Sequence, residues 1–311
     1  MSSEREQAAA FAPGGIGNIG PGLDVLGMAV TGLGDRVSVR RTESGGLVIA
    51  NAGHPELPTD VARNTAGIAA RAVVRLAATE EFNAELSIDK GLPLSGGQGG
   101  SAASAVAGAV AMNRVLGDPL DVAALLACAL EAESTVSGRH ADNLVSALLG
   151  GVVLVRSVDP VVDAISLPWP EELRVVMAHP AQRLETVMAR AVLPRFIARE
   201  MVIRQMANVA AMVAAFASGD LALLGRALDD QIAEPVRAPL VPGFLDAKAA
   251  AIAAGALGGS ISGAGPTSFF FAGDDVTAAR VAAAVSSSYA HLGIACTSRV
   301  ARIARTGALA S

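Results

Sequence analysis

The apolar positions along this chain fall into alternating helical and strand-like stretches. Ile68, Ala69, Ala72, Val73 and Leu76 recur at helical spacing and predict a helix from Asn64 to Ala78. An alanine-rich helix runs to about Leu116, where Gly117-Asp118-Pro119 stops it. A helix from Asp121 to Glu133 has its stripe at Val122, Leu125, Leu126, Ala129 and Leu130. Further helices are predicted over 196–218, 222–232, 244–254 and 276–292. Alternation at Val37 and Val39 reads as a strand, as do the apolar runs at 46–50 and 86–88, 173–178, the run ending at Phe271, and 295–304. Leu148 to Val155 reads as a turn entering a buried strand, and Pro160, Pro168 and Pro170 mark the best domain junction, at 158–172. There is no internal repeat.

Composition narrows the class. The chain has 311 residues, enough for two domains; it is 52% hydrophobic but only 3% aromatic, so alanine carries much of the apolar content. No uninterrupted run of strongly apolar residues is long enough to predict a membrane span, and the N-terminus lacks a signal-peptide pattern. A net charge of −5 argues against a dedicated nucleic-acid binder, and Cys128 and Cys296 form neither a disulfide framework nor a zinc motif. The expectation is a soluble cytoplasmic protein.

Three glycine-rich stretches concentrate the chemistry. Pro93-Leu94-Ser95-Gly96-Gly97-Gln98-Gly99-Gly100-Ser101-Ala102-Ala103 leads directly into the alanine-rich helix. A flexible loop opening a helix presents unpaired N–H groups and the positive dipole end, a cradle for a phosphate; the plain alternative is a flexible hairpin before an ordinary helix. Residues 13–27 form a glycine-rich turn in which Gly15, Gly17 and Gly20 match a dinucleotide fingerprint. Pro21 and Gly22 follow where that fingerprint requires a helix, so it is rejected. Asn18 and Asp24 remain there as polar residues among apolar ones, as functional groups or as turn caps. The third stretch is 258–267, ending at Thr267.

Glu133 falls in the apolar stripe of its helix and Glu131 on the opposite side; a buried carboxylate calls for a partner, most directly a cation, unless the helix end frays into solvent. The polar loop 134–143 holds His140 and Asn143, and Thr186 and Arg190 share a face if their segment is helical. The glycine loop lacks the Lys-Ser/Thr of a Walker loop, and the protein-kinase motifs are absent.

The three stretches, in this order, resemble the small-molecule kinase superfamily of galactokinase, homoserine kinase, mevalonate kinase and phosphomevalonate kinase (GHMP). Within it, Asn18-Ile-Gly-Pro-Gly-Leu-Asp24, Gly138-Arg-His140-Ala-Asp-Asn143, Thr186 to Arg190, Glu234-Pro-Val-Arg237 and Val241-Pro-Gly-Phe244 resemble the homoserine kinase family, over residues 11–270. The resemblance implies an α+β fold of two domains. The first, 1–165, is a ribosomal-S5-like β/α domain with the phosphate loop, and the second, 166–311, is a ferredoxin-like α/β domain. It implies ATP-dependent phosphorylation of the homoserine hydroxyl, with Mg²⁺, and leaves a homodimer open. Arg190 and Arg237 could hold a carboxylate and Asp24 an ammonium, with Asn18, His140, Asn143 and Thr186 orienting the substrate. By resemblance Asn64 lies near the adenine, residues 93–103 hold the phosphates, and Ser101 and Glu133 (or Glu131) are metal ligands. Asn18, Asp24, His140 and Arg190 are the expected catalytic set. The family's Gly-Leu-Gly-Ser-Ser is altered here to Gly97-Gln98-Gly99-Gly100-Ser101, with one hydroxyl fewer. Other kinases of the superfamily, acting on mevalonate or sugars, and a non-catalytic binding member are the alternatives.

Overall fold

The computed structural model describes residues 5–77 and 82–311; Ala78, expected to end the first helix, lies outside them. The chain opens with strands β1 (Gln7–Gly17), β2 (Leu26–Arg41) and β3 (Leu47–Asn51), helix α1 (Thr65–Leu76) and strand β4 (Ala84–Lys90). Helices α2 (Gly100–Val115), α3 (Val122–Ser134) and α4 (Asp142–Leu149) precede strands β5 (Val152–Ser157), β6 (Asp163–Leu167) and β7 (Arg174–Pro180). Then come α5 (Thr186–Ala191), α6 (Arg199–Ser218), α7 (Leu221–Ala227), α8 (Glu234–Arg237) and α9 (Phe244–Ala253). Strands β8 (Gly258–Ile261) and β9 (Ser268–Ala272), helix α10 (Asp275–His291) and strand β10 (Cys296–Ala301) complete the order.

Two sheets result. The first runs β3-β4-β2-β5-β6 with β1 also paired to β2; the second runs β10-β7-β9-β8, antiparallel throughout. Strand β2 organises the first sheet, pairing β4 through residues 35–41, β5 through 26–28 and β1 along most of its length. Helix α2 buries 13 of its 16 residues, so it has neighbours on every side and no single apolar stripe. Its small side chains let α1 approach closely: a Cβ on Gly108 would lie 2.6 Å from the Ala66 carbonyl.

Four expectations change. Residues 13–17 finish β1 instead of making a turn; the glycines are needed for close approach, since a Cβ on Gly15 would sit 2.7 Å from the Met28 carbonyl. Residues 142–149 form a helix. The junction at 165/166 falls inside β6, which pairs with β5, so the chain leaves the first sheet only after Leu167. The helix expected over 222–232 ends at Ala227, because Asp230 accepts hydrogen bonds from the amides of Ile232, Ala233 and Glu234 (2.8–3.1 Å) and starts α8 instead. By length and apolarity α6 could cross a membrane; here Gln205, Met212, Ala215 and Phe216 on its inner side are buried in the protein.

Candidate active site

A cavity of about 460 Å³ opens between the two sheets, bordered by the glycine loop, the end of α3, the start of α4, and α5. It gathers Asn18, Asp24, Asn64, residues 93–97 and 99–101, Glu133, His140, Asn143, Thr186, Arg190 and Arg237 from across the sequence.

Along the loop, three successive carbonyls are engaged by protein. Gly96 O accepts from Thr267 Oγ1 (2.5 Å) and Thr267 N (3.3 Å), Gly97 O from Ser262 Oγ (2.6 Å), and Gln98 O from Gly15 N (3.1 Å). A trans peptide places each following N–H on the opposite side from its carbonyl. The amides of Gly97, Gln98 and Gly99 thus face away from these ties, and none donates to another group among the described residues. Gly97 and Gly99 adopt φ of +72° and +70°, and Gly99 caps α2. Unpaired amides ahead of a helix N-terminus suit a phosphate.

Not every residue expected to touch the nucleotide turns its side chain into the cavity. Gln98 is buried and directed away from the cavity, toward Thr267 and Arg299. Ala102 and Ala103 lie fully buried inside α2, and Ala103 N bonds to Gly99 O, which leaves Ala102 only its backbone N–H to offer. Asn64 borders the cavity, but its side chain caps α1 through Ala66 N and Gly67 N and donates to Pro58 O.

Glu133 is buried on the inner side of α3, while Glu131 points outward and pairs with Arg75 at 2.5 Å. Glu133 Oε1 accepts from Ser101 Oγ (3.0 Å) and from Ser137 Oγ; Oε2 is buried without a partner. Burial pushes the Glu133 carboxyl upward, against the pull of Ser137 and His140. An orphaned carboxylate oxygen beside a hydroxyl is a donor set that fits a hard divalent cation.

At the other end of the cavity, Arg190 and Asp24 form a two-pronged pair, Nη2 to Oδ1 at 2.7 Å and Nη1 to Oδ2 at 3.2 Å. The i, i+4 relation of Thr186 and Arg190 is realised on α5. Burial works against the Asp24 carboxylate, but Arg190, joined by His140 and Arg237, outweighs it and holds the group below its usual range. Asn18 braces the turn: Oδ1 accepts from Asp24 N (3.1 Å), Nδ2 donates to Gly263 O (3.2 Å), and its amide donates to Asp142 Oδ2 (3.2 Å). Arg237 is buried and donates to Ala189 O (3.1 Å) and Gly263 O (2.9 Å). His140 donates Nε2–H to Ser137 O at 3.0 Å, so Nδ1 faces Asp142 Oδ1 at 3.5 Å. Burial disfavours its charge, yet Asp142 prevails and the imidazole pKa is raised. Ligand atoms of Asp24, His140 and Asp142 lie within 4.8 Å of one another.

Sequence reasoning missed a buried group beneath the loop. Lys90 Nζ pairs with Asp35 Oδ2 and donates to Gly100 O (2.8 Å) and Ser104 Oγ (3.0 Å), tethering the first turn of α2. The signal was present: Asp35 shares the inward face of β2 with Val37 and Val39, where an acid requires a partner.

The first glycine stretch, the phosphate loop and the third turn thus surround one cavity in a two-sheet α+β fold, the arrangement of a GHMP kinase. Models of the GHMP kinase N-terminal domain and of the GHMP kinase C-terminal region match residues 64–151 and 212–291. A homoserine kinase of Chlorobium phaeobacteroides is 40% identical, the match covering 91% of this chain and 92% of that protein. The crystal structure of homoserine kinase from Cytophaga hutchinsonii superimposes with a TM-score of 0.94 at 37% identity, covering 99% of this chain and 98% of that one. A mevalonate kinase of L. major shares the fold, with a TM-score of 0.72 at 14% identity. The chain belongs to the homoserine kinase family.

Proposed function

We infer that the chain transfers the γ-phosphoryl group of ATP to the side-chain hydroxyl of L-homoserine, giving O-phospho-L-homoserine for threonine biosynthesis. The observation that carries the substrate is the Asp24–Arg190 pair: one anion and one cation, neutralising each other at 2.7 Å, beside a second arginine. A zwitterionic amino acid can replace each half of that pair with its own opposite charge. A mevalonate-type or sugar substrate offers no ammonium to Asp24, which disfavours the other kinases of the superfamily.

In this reading the three unpaired loop amides and the start of α2 hold the ATP phosphates, and Asn64 lies on the nucleotide side of the cavity. Ser101 and Glu133 would hold Mg²⁺, which when bound neutralises phosphate charge. Asp24 takes the substrate ammonium, Arg190 and Arg237 its carboxylate, and Asn18, His140, Asn143 and Thr186 orient the remainder. Transfer depends on in-line placement and charge neutralisation, so Asp24, Asn18, His140 and Arg190 act by holding the hydroxyl against the phosphate instead of through a strong base. We extend the reading to a cytoplasmic enzyme working without nucleic acid or membrane, and to a homodimer, for which Met188, Phe196, Ile203 and Met206 offer exposed apolar surface. Sedimentation equilibrium tests the dimer, and a monomer throughout would refute it.

Coupled detection of ADP with homoserine, mevalonate and galactose decides the substrate. Release that depends on homoserine alone is expected; its absence would overturn the reading.

A further inference from the structure

Gln98 occupies a position where the family carries leucine, and its side chain leaves the nucleotide cavity altogether. It is buried between the phosphate loop and the second sheet, bordering a separate cavity of about 520 Å³ that also holds His179 and Arg299. We propose that Gln98 is a positioning residue, which fixes the carbonyl directions of the phosphate loop by spanning Thr267 and Arg299. This rests on the reading that the loop holds ATP.

The valences around Thr267 close. A hydroxyl has one proton to donate and two lone pairs to accept with. Its proton goes to Gly96 O at 2.5 Å. Its lone pairs receive Gln98 Nε2–H at 3.3 Å and His179 Nδ1–H at 2.9 Å. The amide of Gln98 is thereby oriented, with Oε1 toward Arg299 Nη2 at 3.4 Å. Arg299 is itself held by donating to Thr31 O at 2.6 Å, within β2. Among the described residues Arg299 has no carboxylate partner, so the amide oxygen serves as one of its acceptors.

The consequence reaches the nucleotide through peptide geometry. While Thr267 spends its proton on Gly96 O, that carbonyl stays turned toward the second sheet and the Gly97 N–H stays turned away from it. Gln98 keeps the Thr267 proton there by filling a lone pair with a donor. Leucine can do neither job, and glutamate would offer Thr267 an acceptor in competition with Gly96 O. Gln98 therefore suits a loop whose neighbours are the Thr267 hydroxyl, held also by His179, and the Arg299 guanidinium.

The test measures Gln98→Leu, Gln98→Glu, Thr267→Val and Gln98→Leu/Thr267→Val by calorimetric titration with ADP, alongside KM for ATP and for homoserine and the melting temperature. Loss of one buried hydrogen bond should weaken ADP binding and raise KM for ATP by about 5- to 10-fold. KM for homoserine should stay within about twofold, and Gln98→Glu should be at least as impaired as Gln98→Leu. In the Thr267→Val background, Gln98→Leu should add less than it does alone, since its partner is already gone. Unchanged ADP affinity in both Gln98 variants, equal shifts for both substrates, or full additivity would overturn the proposal. Should the Leu variants fail to fold, Gln98→Glu is read against Thr267→Ser, which keeps the hydroxyl: the first should weaken ADP binding and the second leave it within about twofold of wild type. A wild-type protein that bound no ADP would refute the loop reading itself, a result distinct from any difference among variants.

Discussion

Asp24 and Arg190 show how one contact can both hold a site ready and choose its substrate. Each is about one-third exposed, so the pair contributes little to folding in water, but once a bound substrate excludes that water neither charge tolerates being left alone. A homoserine analogue without the amino group, 4-hydroxybutyrate, separates the pair and compensates only Arg190. We expect its kcat/KM to fall by about 10³-fold, and that of 3-aminopropan-1-ol, which lacks the carboxylate, to fall comparably. Steady-state assays check this; a loss under tenfold for either would detach the pair from recognition. Arg190→Ala should raise KM for homoserine far more than KM for ATP. His140 supplies a pH signature. The Ser137 carbonyl fixes Nε2–H, leaving Nδ1 toward Asp142, with Asp24 and Glu133 adding negative charge and Arg190 positive. A raised folded-state pKa means the stabilisation is fully present below the unfolded value of about 6.5 and is lost as pH rises through the folded value. Urea titrations of wild type and His140→Gln should differ by about 1 kcal/mol near pH 6 and converge as pH rises toward 9. A gap that widens with pH would reverse the sign and discard the His140–Asp142 interaction as its source.

Elements were legible in the sequence where a stripe met a stop. The end of α2 followed from Gly117, and the sidedness of Glu133 followed from helical periodicity alone. What stayed hidden depends on neighbours far along the chain. The eight residues of α4 carry no long period, and β6 lies among prolines that read as linker. Gly14 to Gly17 look like a turn until β2 is alongside; the absence of a Cβ then serves strand pairing and the approach of Asp142 and Asn143. The motifs likewise named Asp24, Arg190 and Gln98, but only folding reveals that the first two face each other and the third faces away. Helix packing gives a test at this scale. Gly108→Ala would drive a methyl group against the α1 backbone, so α1 and α2 must separate. A loss of about 2 kcal/mol in urea unfolding is expected, with KM for homoserine unchanged in the folded fraction. A neutral substitution would show that the α1–α2 crossing has slack.

The two halves of the molecule share a core, although the chain crosses between them at few points. Ile16, Leu26, Met28 and Val30 of the first sheet pack in one cluster with Met212 and Phe216 of α6 and with Val175, Met177, Phe269 and Phe271 of the second. The chain also returns: Ile303 bridges to Val30, Ala308 joins the core around α2, and Arg114 donates to Ala308 O and Leu309 O. Neither half can open without exposing apolar surface of the other, so unfolding should be one cooperative event. Trp169, the single tryptophan, reports on this seam, since it follows β6 and its ring lies against Gly151 before β5. Its fluorescence and the far-ultraviolet circular dichroism should therefore trace the same urea transition. The cavity makes the argument stricter, because Asn18 and His140 come from one half and Arg190 and Arg237 from the other. A ligand that touches both halves stabilises the whole by mass action, and homoserine should move both transitions to higher urea by the same amount. Tryptophan emission changing ahead of the dichroism, or homoserine shifting only one of them, would show that the halves unfold separately despite their common core.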